Sequence, residues 1–196
     1  RTTQPRHIAS VQKFLQALLD RGYIYKGSYD GWYCRPEETY FTETQVRHHE
    51  EDRVAAGESP ADPAHPLCPD CDRPLERIEE ESWFFKLSEF QQPLLDFYEA
   101  HPDFIQPETR KNEVISFVKG GLKDLSISRS TFDWGVPFPF DDKHVAYVWV
   151  DALINYLSAV GYGDEGDEAA DSLAFRWPAQ VHVVGKDIIR FHCVIW

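Results

Sequence analysis

Two valine-rich runs, Val145–Val148 and Val181–Val184, are each followed by a stretch of helical period, Asp151–Val160 and Ile188–Trp196. Short uninterrupted apolar runs mark strands buried on both faces, and strands that alternate with helices need crossover connections. The order strand–helix–strand–helix therefore predicts a parallel sheet with helices packed on it, the arrangement of nucleotide-binding α/β domains.

The earlier part of the chain has another rhythm. Val11, Phe14, Leu15, Leu18 and Leu19 share a helical face, with Ser10 at the cap position and Gly22 at the stop. Short strands rich in aromatic residues are predicted at Tyr23–Lys26, Gly31–Cys34, Thr39–Thr42, Leu75–Glu80 and Ser82–Leu87, with an aperiodic polar loop over 47–67. Helices are predicted from Ser88 and over Thr109–Lys119, the second closed by Gly120-Gly121. The expected organisation is a helix at 1–22, a small β-rich insert at 23–87, a helical connector at 88–123 and a truncated α/β part at 124–196. The chain contains no methionine and stops at Trp196 inside an apolar run, so it reads as an internal piece of a longer protein.

A formal charge of -13 argues against a surface that grips nucleic acid without specificity, which needs clustered Lys and Arg. Much of the acid lies in Glu50–Asp62 and Asp164–Asp171, which read as solvated stretches. No run approaches the roughly 18 apolar residues of a membrane span, and no signal-peptide pattern precedes the first helix. A soluble, cytoplasmic protein without a membrane partner is expected.

Three places hold residues of chemical interest. Cys68-Pro-Asp-Cys71 is a complete Cys-x-x-Cys knuckle, whereas its companion reads Cys34-Arg-Pro-Glu37. Two facing knuckles make a tetrahedral Zn2+ site. Here Cys34, Cys68 and Cys71 supply three thiolates, with Glu37, His48, His49, His65 or water as the fourth ligand, or else the cysteines simply pack. Gly185-Lys186-Asp187 follows a predicted strand, at the edge where ligands of open α/β sheets sit, and equally fits a plain turn. Trp149 ends a predicted strand and Tyr156 lies seven residues on, while Ile188 and His192 share a face of the next predicted helix; by pattern alone they are core residues.

Taken in order, RTTQPRH, GYIYKGSYDGWYC, YFTE, CPDC, SWFFKLS, RKNEVISFVKGGLKDLSISR, DWGVPFPFD, HVAYVWVDALINYLSA and VHVVGKDIIRFH resemble the methionyl branch of the class I aminoacyl-tRNA synthetases. The resemblance covers the chain apart from the stretches near 47–67 and 163–176. It implies a partial Rossmann-like parallel-sheet catalytic domain carrying a zinc-knuckle-type connective insert. It also implies that Trp149, Leu153, Tyr156, Ile188 and His192 surround a methionine side chain, that Gly185 and Asp187 hold the ribose of ATP, and that Arg129 serves activation. Methionine, ATP with Mg2+, and tRNA(Met) are the implied substrates, with Zn2+ in the knuckle. The family's two phosphate-handling signatures are expected before Arg1 and beyond Trp196, so these 196 residues alone are expected to be inactive. Two rival readings are a stand-alone zinc-knuckle module that binds tRNA or protein, and another class I synthetase.

Overall fold

The computed structural model describes residues 1–36, 39–131 and 133–196, with only the backbone of Tyr29, Thr39 and Tyr40. The described residues fall into two compact units, one of Arg1–Lys26 with Ser82–Trp196 and one of Gly27–Glu81.

The first unit begins with α1 (Pro5–Asp20). Pro5 opens the helix, where its missing N–H costs nothing. Ser10 is therefore no cap: it lies buried mid-helix, and its hydroxyl donates to the Arg6 carbonyl at 2.8 Å and to the Tyr162 carbonyl. Val11 and Leu15 are fully buried and pack with Ile24, Ile127, Val136, Phe138, Val150 and Ile154 into one core. His7 is buried beside them. Its Nδ1 lies 2.8 Å from the Ser158 hydroxyl and its Nε2 2.6 Å from Asp151 Oδ1, so one imidazole grips α5 (Val148–Ser158) at two heights. The backbone after α5 comes so close to α1 that a Cβ at Gly163 would sit 2.7 Å from Ser10 Oγ, and the φ of +94° there also demands glycine.

Helices α3 (Gln91–Ala100) and α4 (Glu108–Lys119) form a second cluster around Tyr98, Val114, Val118 and Leu122, together with Val194. The phenol of Tyr98 donates to the Cys193 carbonyl. A three-stranded antiparallel sheet has the order β5 (Ser128–Arg129), β7 (Asp141–Ala146), β6 (Pro137–Phe138). A four-stranded sheet has the order β2 (Thr39–Phe41), β1 (Ile24–Cys34), β3 (Glu76–Phe85), β4 (Leu125–Ser126). The two long strands β1 and β3 replace the four short ones predicted over the same residues.

In the second unit, Trp32, Phe41, Val46 and Leu75 pack around Cys34 and Cys68. Residues 47–67 are not all loop, because α2 (Glu43–Ala55) occupies their first part. Thr42 and Gln45 form a full capping box, satisfying two otherwise orphaned N–H groups. The helix is polar around most of its circumference, with Val46 its buried anchor.

The parallel sheet expected over 124–196 is absent among the described residues. The ladders of β7 are antiparallel, and Val148 and Trp149 lie in the first turn of α5 instead of in a strand. Val181–Val184 joins no strand ladder among the described residues, and Val181 and Val183 are 76% and 94% exposed. A strand exists only by pairing, and the described residues offer this segment no partner. Residues 186–195 form a 3-10 turn at Lys186–Ile188 and a π turn at Phe191–Ile195. Among the described residues no helix is long and apolar enough to cross a membrane.

Asp141 ties the first unit together by accepting from Lys26 Nζ at 2.9 Å and from Trp83 Nε1 at 3.0 Å. Burial pushes its carboxyl upward, but the hydrogen bonds from Lys26 and Trp83 outweigh that and leave it below its ordinary value. Such a group stabilises the fold above its unfolded pKa of about 3.9 and ceases to as pH falls through the lower folded value. Asp141→Asn should therefore lower the melting temperature at pH 7. The gap to the parent should close in melting curves recorded at progressively more acid pH.

In the second unit, Thr42→Ala removes the cap and should cost about 1 kcal/mol, read as a lower denaturant midpoint.

Candidate functional site

Trp149, Leu153 and Tyr156 recur at i, i+4 and i+7 and so share one face of α5. The carbonyl of Ile188 accepts from His192 Nδ1 at 3.0 Å. A carbonyl can only accept, so Nδ1 carries the proton of that bond. The phenol of Tyr156 lies 2.8 Å from Nε2, so the two polar tips are hydrogen-bonded to each other.

More rings join them. Trp149 stacks on Phe191 with centroids 3.8 Å apart and planes inclined by 11°. Tyr156 meets His182 edge-on at 4.8 Å and Trp196 at 5.5 Å, and Trp196 meets Trp177 at 5.4 Å. Burial, and secondarily the neighbouring His192, hold the His182 imidazole below its ordinary value. Trp149 and Leu153 line an apolar cavity of about 270 Å³ closed by Ile154, Trp177 and Trp196. His192 lines a separate cavity of about 510 Å³ with His182 and Cys193. Trp149 and Leu153 therefore line one hollow and His192 another, while Tyr156 and the exposed Ile188 line neither. Sequence reasoning missed Phe191, His182, Trp177 and Trp196. Phe191 was accessible as the i+3 neighbour of Ile188; the others carry no local signal.

Gly185 adopts φ −68° and ψ 154°, a conformation open to any residue, and a Cβ there would meet nothing within 4 Å. Asp187 lines an open groove of about 770 Å³ with Lys186, Arg190, Arg110 and Glu113. Arg110 is engaged by Glu113 at 2.6 Å, and the Arg190 guanidinium lies 5.0 Å from the Phe117 ring centre.

Arg129 lies on β5. Its Nη1 donates to Ser126 Oγ at 2.8 Å and to the Ser128 carbonyl at 2.7 Å, and its guanidinium carbon sits 3.9 Å above the Tyr147 ring.

In the second unit, the sulfurs of Cys34, Cys68 and Cys71 lie within 4.8 Å of one another, with Cys34 and Cys71 at 3.5 Å. Cys34 and Cys68 are fully buried, and Cys68 Sγ accepts the Asp70 N–H at 3.4 Å. None of the four cysteines is in a disulfide. A tetrahedron of thiolates about 2.3 Å from Zn2+ has sulfurs roughly 3.8 Å apart, so the cluster has the right size. Of the foreseen fourth ligands, Glu37 lies outside the described residues and His49 Nε2 is engaged by Asp72 Oδ1 at 2.9 Å.

Residues 1–196 match the family model described as tRNA synthetases class I (M), and the chain belongs to that family. It is similar to the "Methionine--tRNA ligase" of Caldanaerobacter subterraneus subsp. tengcongensis, with 52% identity across all of this chain and 28% of the relative. To the protein of that name from Streptomyces coelicolor it is 54% identical, covering 34% of that sequence. Among solved structures, Mycobacterium tuberculosis methionyl-tRNA synthetase bound by methionyl-adenylate matches with a TM-score of 0.78 and 43% identity, over the whole of this chain and 36% of that one. The chain thus spans about a third or less of these relatives.

Proposed function

We propose that the protein containing this chain is a methionine–tRNA ligase that condenses methionine with ATP to methionyl adenylate, releases pyrophosphate and passes methionine to tRNA(Met). The observation that carries this reading is the hydrogen-bonded Tyr156–His192 pair beside Trp149, within a chain whose whole length matches the family. The structural relative bound by methionyl-adenylate supports it. The stand-alone knuckle reading accounts for the second unit alone, and relatives named for methionine speak against another class I synthetase.

In this reading 124–196, with 1–22, belongs to the Rossmann-like catalytic domain, 88–123 connects, and 23–87 is the connective insert. Val181–Val184 then pairs with parallel strands from the rest of the protein, burying the exposed Val181 and Val183. A thioether is apolar, polarizable and only weakly accepting. Trp149, Leu153, Tyr156, Ile188 and His192 would enclose it with largely aromatic and aliphatic surface. The Asp187 carboxylate suits ribose hydroxyls, with Gly185 leaving room for the nucleotide. Arg129 brings positive charge to the phosphates of Mg2+–ATP, where charge develops during activation. Catalysis here is positioning and electrostatics. The setting is the cytoplasm, where translation takes place.

Trp149→Phe and His192→Gln in the full-length protein should raise the methionine KM far more than the ATP KM. The expected cost is about 1–3 kcal/mol, or roughly ten- to two-hundredfold in kcat/KM. Melting curves recorded beside the kinetics separate this from a packing role, for which stability would fall while the methionine KM stayed put.

For the insert we propose Zn2+ held by Cys34, Cys68 and Cys71, with Glu37 or water completing the tetrahedron. Bound zinc would crosslink β1 to the knuckle and stabilise the unit without entering the reaction. Elemental analysis of the full-length protein should give close to one zinc per chain, and Cys71→Ser should lower both occupancy and melting temperature. Thiolates must shed protons to bind, so zinc should be lost as pH falls.

A further inference from the structure

Resting on the reading of Arg129 as the activation arginine, we infer that Ser126, Ser82 and Tyr147 form a positioning array that fixes the direction of its guanidinium. A guanidinium presents its donors in a rigid planar fork, so holding one nitrogen and the plane fixes where the fork points. Both constraints are in place. Ser126 Oγ, on β4, receives Nη1 at 2.8 Å beside the Ser128 carbonyl at 2.7 Å, and the Tyr147 ring supports the plane from 3.9 Å.

Ser126 is itself held. Its hydroxyl lies 2.7 Å from that of Ser82, which is 2% exposed on β3. Ser82 Oγ also lies 3.2 Å from both the carbonyl and the hydroxyl of Ser128. The Ser128 hydroxyl accepts the Trp83 N–H at 2.8 Å and lies 2.9 Å from Nδ1 of the buried His144. A continuous line of hydroxyls therefore runs from the core to the guanidinium. Three serines on sheet positions that would ordinarily carry β-branched or aromatic residues are explained by such a chain and not by packing. Tyr147 reaches the site because the Ile127 carbonyl accepts its N–H at 2.8 Å, fixing the turn into α5 beside β5.

The test uses the full-length protein and methionine-dependent exchange of pyrophosphate into ATP. Ser126→Ala should lower kcat by roughly ten- to a hundredfold, the usual penalty for a misplaced catalytic group, with the methionine KM within twofold. Ser126→Thr, which keeps the hydroxyl, should recover most of the rate. Tyr147→Leu should behave like Ser126→Ala, and Tyr147→Phe, which keeps the ring, like the parent. In an Arg129→Ala background, Ser126→Ala should have no further effect, because the array acts through that one side chain. A parent-like rate for both Ser126→Ala and Tyr147→Leu overturns the array, as does an undiminished Ser126→Ala effect without Arg129. If Ser126→Ala does not fold, the Tyr147 pair and Ser126→Thr decide alone. An unchanged rate in Arg129→Ala removes the array and the role of Arg129 together; absence of exchange in the parent removes the ligase reading itself.

Discussion

The buried imidazole of His7 is the contact on which the site-bearing half of the first unit depends. It meets Asp151 in the first turn of α5 and Ser158 two turns later, so α1 holds α5 against both sliding and rotation. Apolar packing between Val11, Leu15, Ile154 and Leu157 supplies attraction but little direction. The polar pins supply the direction. A helix rotated by a fraction of a turn would carry Trp149, Leu153 and Tyr156 off their common aspect, and the Tyr156–His192 hydrogen bond would not close.

A similar division of labour recurs in the sheet region. Ile127, Phe138 and Ala146 bury apolar surface, while Ser82, Ser126 and Ser128 thread the same layer with hydroxyls. Buried polar groups are costly unless paired, and here the Ser128 hydroxyl meets both the Trp83 N–H and His144 Nδ1. Close by, Asp141 joins Lys26 to Trp83. Order in this unit thus comes from a few well-placed polar contacts inside a conventional apolar core.

Helical period was the most legible part of the sequence. The face of Val11, Leu15 and Leu18 and the run over Thr109–Lys119 both correspond to helices whose apolar sides are buried. What escaped was structure with a weak pattern or a distant cause. Helix α2 has almost no apolar stripe, and its signature, the Thr42–Gln45 capping box, is local and easily passed over. Val181–Val184 failed in the opposite way, since its composition announces a buried strand but burial requires neighbours that the described residues do not supply. That Trp149 shares a face of α5 with Leu153 and Tyr156 was hidden too, because its valine-rich setting reads as the end of a strand and the helix begins three residues earlier than its period suggests. The hydrogen bond from Tyr156 across 36 positions to His192, and the ring of His182, Trp177 and Trp196, depend on how the chain returns, which no local period encodes.

The second unit leaves the chain after Lys26 and returns at Ser82, through two long strands, β1 and β3, that are hydrogen-bonded neighbours in one sheet. For the first unit, joining Tyr23 to Lys86, whose N–H donates to the Tyr23 carbonyl at 2.9 Å, means closing a loop that contains the whole excursion. Loop closure grows costlier with length only logarithmically, but it must precede every contact that depends on it. For the first unit the excursion therefore counts as one loop between two chain ends already joined by a backbone hydrogen bond, and its length adds little to the cost of closing it.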